Sequence, residues 1–397
     1  MSNWEKVRRR IEGQGLLAGL SDAFSRFYWV CASRAVTRSS ALPSPPPVIL
    51  EQVQSVLVIK YYGIGNAVLA LPALRSLREA LPAARFFLLT DGRSLPLMKN
   101  SKLFEHILIL PLSELDPGKA LAQTISSIQR VHPDLIFCSF PLLAPRLTEW
   151  FKYLRARWII GYEGDGPSSV FSQQLPLDTE RHETQLNLDL IRALGITPAV
   201  EAATIDLEEP DRSEADRYLS QQSGGPPWYA FHCGSFADMI AKRWPAEAFA
   251  ALGDRLVEKH GGRVIIVGAV EESELAAGIA ARMKYPAVNA AGRLSLLGTA
   301  ALLNRSSLVV SNDSGLMHLA AAVGAPLAAL FGPTQEKKNA PWAPADRAII
   351  LRSGRDCSPC HRVGQPITCP DPECMKQLTV DQVEAAIDQT GWLEAIK

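Results

Sequence analysis

Asp313, Ser314 and Gly315 follow the β-branched run Leu308-Val309-Val310 and precede Leu316 to Val323, which is helical by composition. A strand that ends in such a polar turn and feeds a helix presents free backbone N–H groups and a positive dipole end, which suits a phosphate. Lys242 and Arg243 stand just before Trp244-Pro245. Two cations at a helix start make either a clamp for a diphosphate or a solvated basic pair. Glu271, Glu272 and Glu274 come after RVIIVG (263–268), where a nucleotide-binding domain uses a carboxylate to grip ribose hydroxyls. A helix N-terminus favours carboxylates on its own account, so that reading shares the position with a plain cap. Gly63-Ile64-Gly65-Asn66 follows the strand SVLVIK (55–60) directly. Val68 fills the third glycine position of a dinucleotide fingerprint, so this turn fits a ligand loop or a simple tight turn. His318 lies one turn into a small-residue helix, a place that suits packing as well as ligand contact. Cys357, Cys360, Cys369 and Cys374 have spacings that admit a structural zinc, or reduced thiols closing a loop. No Asp-x-Asp stands after a strand.

The elements that must position these residues alternate along the chain. SVLVIK, RFFLLT (85–90), HILIL (106–110) and DLIFCSF (134–140) read as buried strands with helical patterns between them. A second series begins at WYAFHC (228–233) and continues through RVIIVG, SSLVVS (306–311) and PLAALF (326–331). Such runs fit parallel sheets covered on both faces, so the fold class is α/β with two Rossmann-like doubly wound domains. HETQLNLDLIRALGI (182–196) reads as a helix leading into a polar connector. We divide the chain into an N-terminal extension with a Pro-rich linker (1–47), a first domain (48–205), a second domain with a Cys-rich loop (206–378) and a last helix (379–397) that crosses back to brace the first domain.

The 397 residues carry 41 basic and 41 acidic side chains, a balance that argues against a nucleic-acid binder. No apolar run is long enough to span a bilayer, and no signal peptide is recognisable at the N-terminus. Seven cysteines, an odd number, fit a reducing cytoplasm better than a disulfide framework. Trp4, Val7, Ile11, Leu16, Leu20 and Phe24 recur at helical spacing among Lys6, Arg8, Arg9, Arg10 and Arg26. This basic amphipathic segment, residues 1–40, suits either a protein partner or an anionic membrane surface.

The string SNDSGLMHLAAAVGAPLAALFGPT (311–334) resembles the signature of the family 9 glycosyltransferases, the lipopolysaccharide heptosyltransferases. GIGNAVLALPALRSLREALP (63–82) is similar to the opening motif of that family, and PWYAFHCGSFADMIAKRWPAEAFAAL (227–252) to its strand–glycine loop and Lys-Arg-Trp-Pro segment. The resemblance implies a GT-B fold whose two domains face a cleft, and an inverting transfer that requires no metal or other cofactor. Its donor would be a nucleotide-diphospho-sugar such as ADP-heptose, held by the second domain. The acceptor, a lipid-linked saccharide such as the lipopolysaccharide core, would be held by the first, on the inner face of the cytoplasmic membrane. The same resemblance assigns Lys242, Arg243 and Ser235 to the diphosphate and Glu272 to the ribose. It makes Asp313 the candidate for a sugar or ribose contact, Ser314 and Gly315 those for phosphate contacts through backbone N–H, and gives His318 a place in the site, and Gly63 and Gly65 the acceptor-side loop. One position departs from the pattern: Asn66 stands where the family carries its catalytic Asp. An amide cannot take a proton from a hydroxyl at neutral pH. Asp91, which follows the second strand, is the first substitute base. A protein of the same fold that binds nucleotide-sugar or glycolipid without transfer is the alternative.

Overall fold

The computed structural model describes residues 46–60, 63–90, 92–109, 126–139, 156–163, 170–236, 239–361, 367 and 369–394. The basic segment up to residue 45 and Asp91 lie outside them. Two compact units make up the chain: Met1–Tyr61, Ala83–Gly92 and His106–Leu177 form one, and Tyr62–Pro82, Arg93–Glu105 and Asp178–Lys397 form the other. Among the described residues no helix is long and apolar enough to cross a membrane.

The first unit is built on six strands, β1 (Ser55–Ile59), β2 (Arg85–Thr90), β3 (His106–Ile109), β4 (Leu135–Cys138), β5 (Trp158–Tyr162) and β6 (Gln173–Leu175), in the order β3-β2-β1-β4-β5-β6. All pairs are parallel; Leu57 of β1 lies between Phe87 and Ile136. Every residue of β1 is buried, which is why the run reads as continuously apolar rather than alternating. Asp134 ties the sheet's lower edge, taking the N–H groups of Gln54 and Ser55 on Oδ2, each at 2.9 Å.

The second unit holds β7 (Trp228–His232), β8 (Arg263–Val267), β9 (Val288–Asn289), β10 (Leu308–Asn312), β11 (Leu327–Leu330) and β12 (Ala348–Leu351), in the order β12-β11-β10-β7-β8-β9. Counted from its own first strand this is the same doubly wound order as the first sheet, with its switch point between β7 and β10. In such sheets ligands bind beyond the carboxyl ends of the strands at that point. Its longer helices are α1 (Ile64–Ala80), α2 (Leu95–Asn100), α3 (Glu183–Ala193), α4 (Glu209–Ser220), α5 (Ala246–His260), α6 (Ser273–Ala280), α7 (Leu296–Arg305), α8 (Gly315–Ala322) and α9 (Val380–Gln389), with single helical turns at Glu336–Asn339 and Glu373–Lys376. Helix α1 packs on α3 and α8, so residues that precede the second sheet by more than a hundred positions belong to its unit.

One element differs from the sequence expectation. The polar connector contains α4, whose only buried residue is Ala215. A capping box between Glu208 and Asp211 starts it, and a bidentate Arg305–Asp216 pair holds it to α7. Val383 and Ile387 of α9 enter the core of its own unit with Trp244 and Phe249, and Arg255 and Lys259 of α5 pair with Asp381, Glu384 and Asp388 along its flank.

Candidate functional site

The switch point of the second sheet is held together by one amide. Asn312, at the end of β10, is completely buried. Its Nδ2 donates to the carbonyls of Cys233 and Gly234 at 2.9 and 3.2 Å, and its Oδ1 accepts the N–H of Trp244 at 3.0 Å. The turn after β7, the turn after β10 and the Lys242-Arg243 segment are therefore locked to one another by a single side chain. Cys233 packs in the core, and burial pushes its thiol well above the ordinary range, so it stays protonated and inert.

Lys242 Nζ meets Asp313 Oδ2 at 2.8 Å, with side chains only 13 and 5 % exposed. Burial alone would push the Asp313 carboxyl up, but the Lys242 charge and hydrogen bond, aided by His318, hold it below its usual value. Ser314 is the N-cap of α8 and accepts the N–H of Met317. Its Oγ also lies 2.9 Å from Nδ1 of His232, whose Nε2 stands 3.4 Å from Glu272 Oε2. Glu272 accepts the Ala269 N–H at 2.8 Å. Its carboxyl is pushed up by burial, yet His232, Ala269 and Arg243 bring it below the ordinary range. A Cβ on Gly234 would collide with this carboxylate, and one on Gly268 would come within 2.6 Å of it. Both glycines leave room for an ionised glutamate beside the α8 N-terminus. Arg243 itself is engaged with Ser235, through Nε to Oγ and through the second nitrogen to the carbonyl, both at 3.0 Å.

The N-terminus of α1 meets the N-terminus of α8 within the same unit. A Cβ on Gly65 would lie 2.6 Å from His318 Cδ2, and one on Gly315 would lie 3.2 Å from Ile64 Cβ. A side chain at Gly65 would force the His318 ring to move, whereas one at Gly315 would need Ile64 to give way only slightly. Gly63 lies against the exposed ring of Phe236, which also receives the Arg93 guanidinium on its face. His318 is buried, and its Nδ1 has no hydrogen-bond partner among the described residues. Asn66, partly exposed, donates from Nδ2 to Glu183 Oε2 at 2.7 Å.

This combination of an α8 N-terminus, a half-buried cation, an ionised glutamate and an imidazole whose Nδ1 has no partner among the described residues suits a nucleoside diphosphate. The family model of glycosyltransferase family 9 (heptosyltransferase) matches residues 150–369. The chain belongs to glycosyltransferase family 9. Lipooligosaccharide heptosyltransferase 2 of Haemophilus influenzae is 37 % identical to it over 116 residues, which cover 28 % of this chain and 33 % of that protein. Lipopolysaccharide heptosyltransferase 1 of Pseudomonas aeruginosa is 25 % identical over 77 % of this chain and 85 % of its own length. The solved structure of E. coli ADP-heptose lps heptosyltransferase II superposes with a TM-score of 0.69 at 20 % identity, covering 86 % of this chain and 100 % of that one. The GT-B architecture expected from the sequence is thereby shown.

In this family 9 glycosyltransferase, the structure brings Gly63, Gly65, Asn66, Ser235, Lys242, Arg243, Glu272, Asp313, Ser314, Gly315 and His318 together in one unit. It does not extend to Asp91. Among the described residues no group of three His, Cys, Asp or Glu is placed to hold a metal ion. Cys374 is buried under Gly332 while Cys357, Cys360 and Cys369 are exposed, and burial followed by the neighbouring thiols pushes Cys360 and Cys374 up, favouring protonated thiols. Asn312 and Glu183 do not stand out in the sequence as site residues. Asn312 lies inside the family signature, but its partners are 68, 78 and 79 residues away.

His318 also carries a pH signature. Burial lowers it to about 4 from 6.5, with Asp313 opposing the shift. The unfolded chain therefore takes up a proton near pH 6.5 that the folded chain refuses. The stability is fully present above that value and is lost as pH falls toward about 4, by roughly 3 kcal/mol. Denaturation midpoints of wild type should fall between pH 7 and 4.5, and those of His318→Asn should fall less. Parallel curves would refute the assignment.

Proposed function

We propose that this protein is an inverting heptosyltransferase that moves heptose from ADP-heptose to a lipopolysaccharide-core or related glycolipid acceptor without a metal. The observation that carries the reading is the Lys242–Asp313 pair, largely shielded from water at the α8 N-terminus, beside His318, whose Nδ1 has no partner among the described residues. A diphosphate placed there would meet an ammonium and backbone N–H groups as it takes on charge, the role a metal plays in other transferases. Glu272, ionised and cradled between two glycines, suits the ribose hydroxyls of the nucleotide. The names of the relatives, lipopolysaccharide heptosyltransferase and ADP-heptose lps heptosyltransferase, support the choice of sugar, nucleotide and acceptor.

In the step itself, an acceptor hydroxyl oxygen forms a bond to the anomeric carbon. The bond from that carbon to the diphosphate breaks with its electron pair on the diphosphate, and the hydroxyl proton goes to a base. Asp91 remains our candidate for that base. Residues 48–205 would supply the acceptor side and 206–378 the donor side, with the protein in the cytoplasm and the basic residues of 1–40 against the inner membrane face.

Asn66, in the place of the expected aspartate, favours a second reading, a protein that binds the donor or glycolipid without transfer. Purified protein with ADP-heptose and a heptose-deficient core acceptor should release ADP in proportion to acceptor and yield product of inverted anomeric configuration. Donor binding with no ADP release at high enzyme concentration would select the second reading.

A further inference from the structure

His232, the last residue of β7, is 4 % exposed and stands between the two halves of the donor site proposed above. On one side its Nδ1 lies 2.9 Å from Oγ of Ser314, the N-cap of α8. On the other its Nε2 lies 3.4 Å from Oε2 of Glu272, at the long end of hydrogen-bond distance. Ser311, wholly buried, completes the cluster: its Oγ donates to the Asn312 carbonyl at 2.8 Å and lies 3.4 Å from His232 Nδ1. These contacts bring His232 to residues 40, 79 and 82 positions away in the chain.

The contacts hold whichever charge the imidazole carries. Glu272 is ionised and can only accept, so the ring nitrogen that faces it must carry hydrogen. Nδ1 then meets a hydroxyl, which both gives and takes hydrogen bonds, so Ser314 suits the neutral and the protonated ring alike. Glu272 lies on the turn Val270–Glu272 just before α6. Among the described residues its other hydrogen bond is local, from the Ala269 N–H three positions back, and falls on Oε2 as well. Oε1 packs beside Gly234 and is left for a ligand hydroxyl. The side chain is 15 % exposed, so the carboxylate is held without being sealed off.

We propose, resting on the donor-site reading above, that His232 is a positioning residue of the nucleotide site: it fixes the Glu272 carboxylate relative to the cap of α8, so that the ribose hydroxyls and the diphosphate of one nucleotide are met at a set spacing. Without it the carboxylate keeps only its local bond to Ala269 and is free to turn away from the ribose.

Two amide variants separate the contacts. In His232→Asn the amide sits near the place of Nδ1 and keeps a partner for Ser314, but does not reach Glu272. In His232→Gln it reaches the place of Nε2 and keeps a donor for Glu272. Calorimetry then compares ADP with 2′,3′-dideoxy-ADP, which lacks the ribose hydroxyls, on the same protein, so any loss of folded protein cancels in the ratio. Wild type should prefer ADP by about 10- to 10²-fold, the worth of hydrogen bonds to a charged group. The preference should fall below about threefold in His232→Asn and stay within about threefold of wild type in His232→Gln. Nitrogen-15 NMR reads the wild-type ring with no substitution at all, and hydrogen should be found on Nε2. An undiminished preference in His232→Asn, the same loss in both variants, or hydrogen on Nδ1 alone would overturn the proposal. Glu272→Ala tells this failure from that of the ribose assignment. A preference for ADP that survives Glu272→Ala places the ribose elsewhere and overturns both, whereas its loss there but not in His232→Asn overturns only the role of His232.

Discussion

Lys242→Met should lose both stability and turnover. The ammonium is the only cation found within bonding distance of the Asp313 carboxylate among the described residues. Removing it leaves a buried negative charge without its partner, which costs about 3–5 kcal/mol. If Lys242 receives the departing diphosphate, its removal also lowers kcat by a further factor on the order of 10²–10³. The two effects separate in the double variant Lys242→Met, Asp313→Asn, where no charge is left buried. That protein should regain most of the stability of wild type in urea denaturation and none of its turnover. The single variant should also recover as pH falls, because an unpaired Asp313 can take up a proton. If the double variant turned over normally, Lys242 would be a structural partner of Asp313 and nothing more.

The second large effect is expected at Asn312. Leucine fits the volume but leaves the Trp244 N–H and the Cys233 and Gly234 carbonyls buried without their side-chain partner. Unsatisfied groups of this kind cost roughly 1–3 kcal/mol each, and some of that is recovered as the turns relax. A destabilisation of about 3–5 kcal/mol is the expected result in urea. Because the same bonds hold the Ser235 and Lys242 segments in place, ADP affinity by calorimetry should fall by about tenfold or more under conditions where the variant is still folded. An ADP affinity equal to that of wild type would show that the lock serves the fold alone.

Much of this architecture can be read from local chemistry. The strands at 55–59, 228–232 and 308–312 are buried on every residue, so each reads as an apolar run with polar residues only at an end, as a parallel sheet demands. The polar turn at Asp313-Ser314-Gly315 could be assigned because cap chemistry is local, and Ser314 does cap the helix. Features made by distant pairs were not legible. Helix α4 hides in a charged stretch since it buries only Ala215. The direction of the last helix is set by Arg255 and Lys259, which are 126 to 129 residues from their partners. Glu183 reads as an ordinary first-turn acid until the fold brings Asn66 to it. At position 66 the sequence shows a missing carboxylate, and the structure shows a carboxylate arriving from another helix.

The most direct test is a crystal structure with an ADP-heptose analogue whose transfer is blocked. Diphosphate oxygens should lie in hydrogen-bond reach of Lys242 Nζ and the Ser314 and Gly315 N–H groups, with the ribose on Glu272 and the anomeric carbon on the side of Asn66 and Glu183. A diphosphate bound away from the α8 N-terminus, or a sugar directed away from Asn66, would contradict the donor site proposed for this protein.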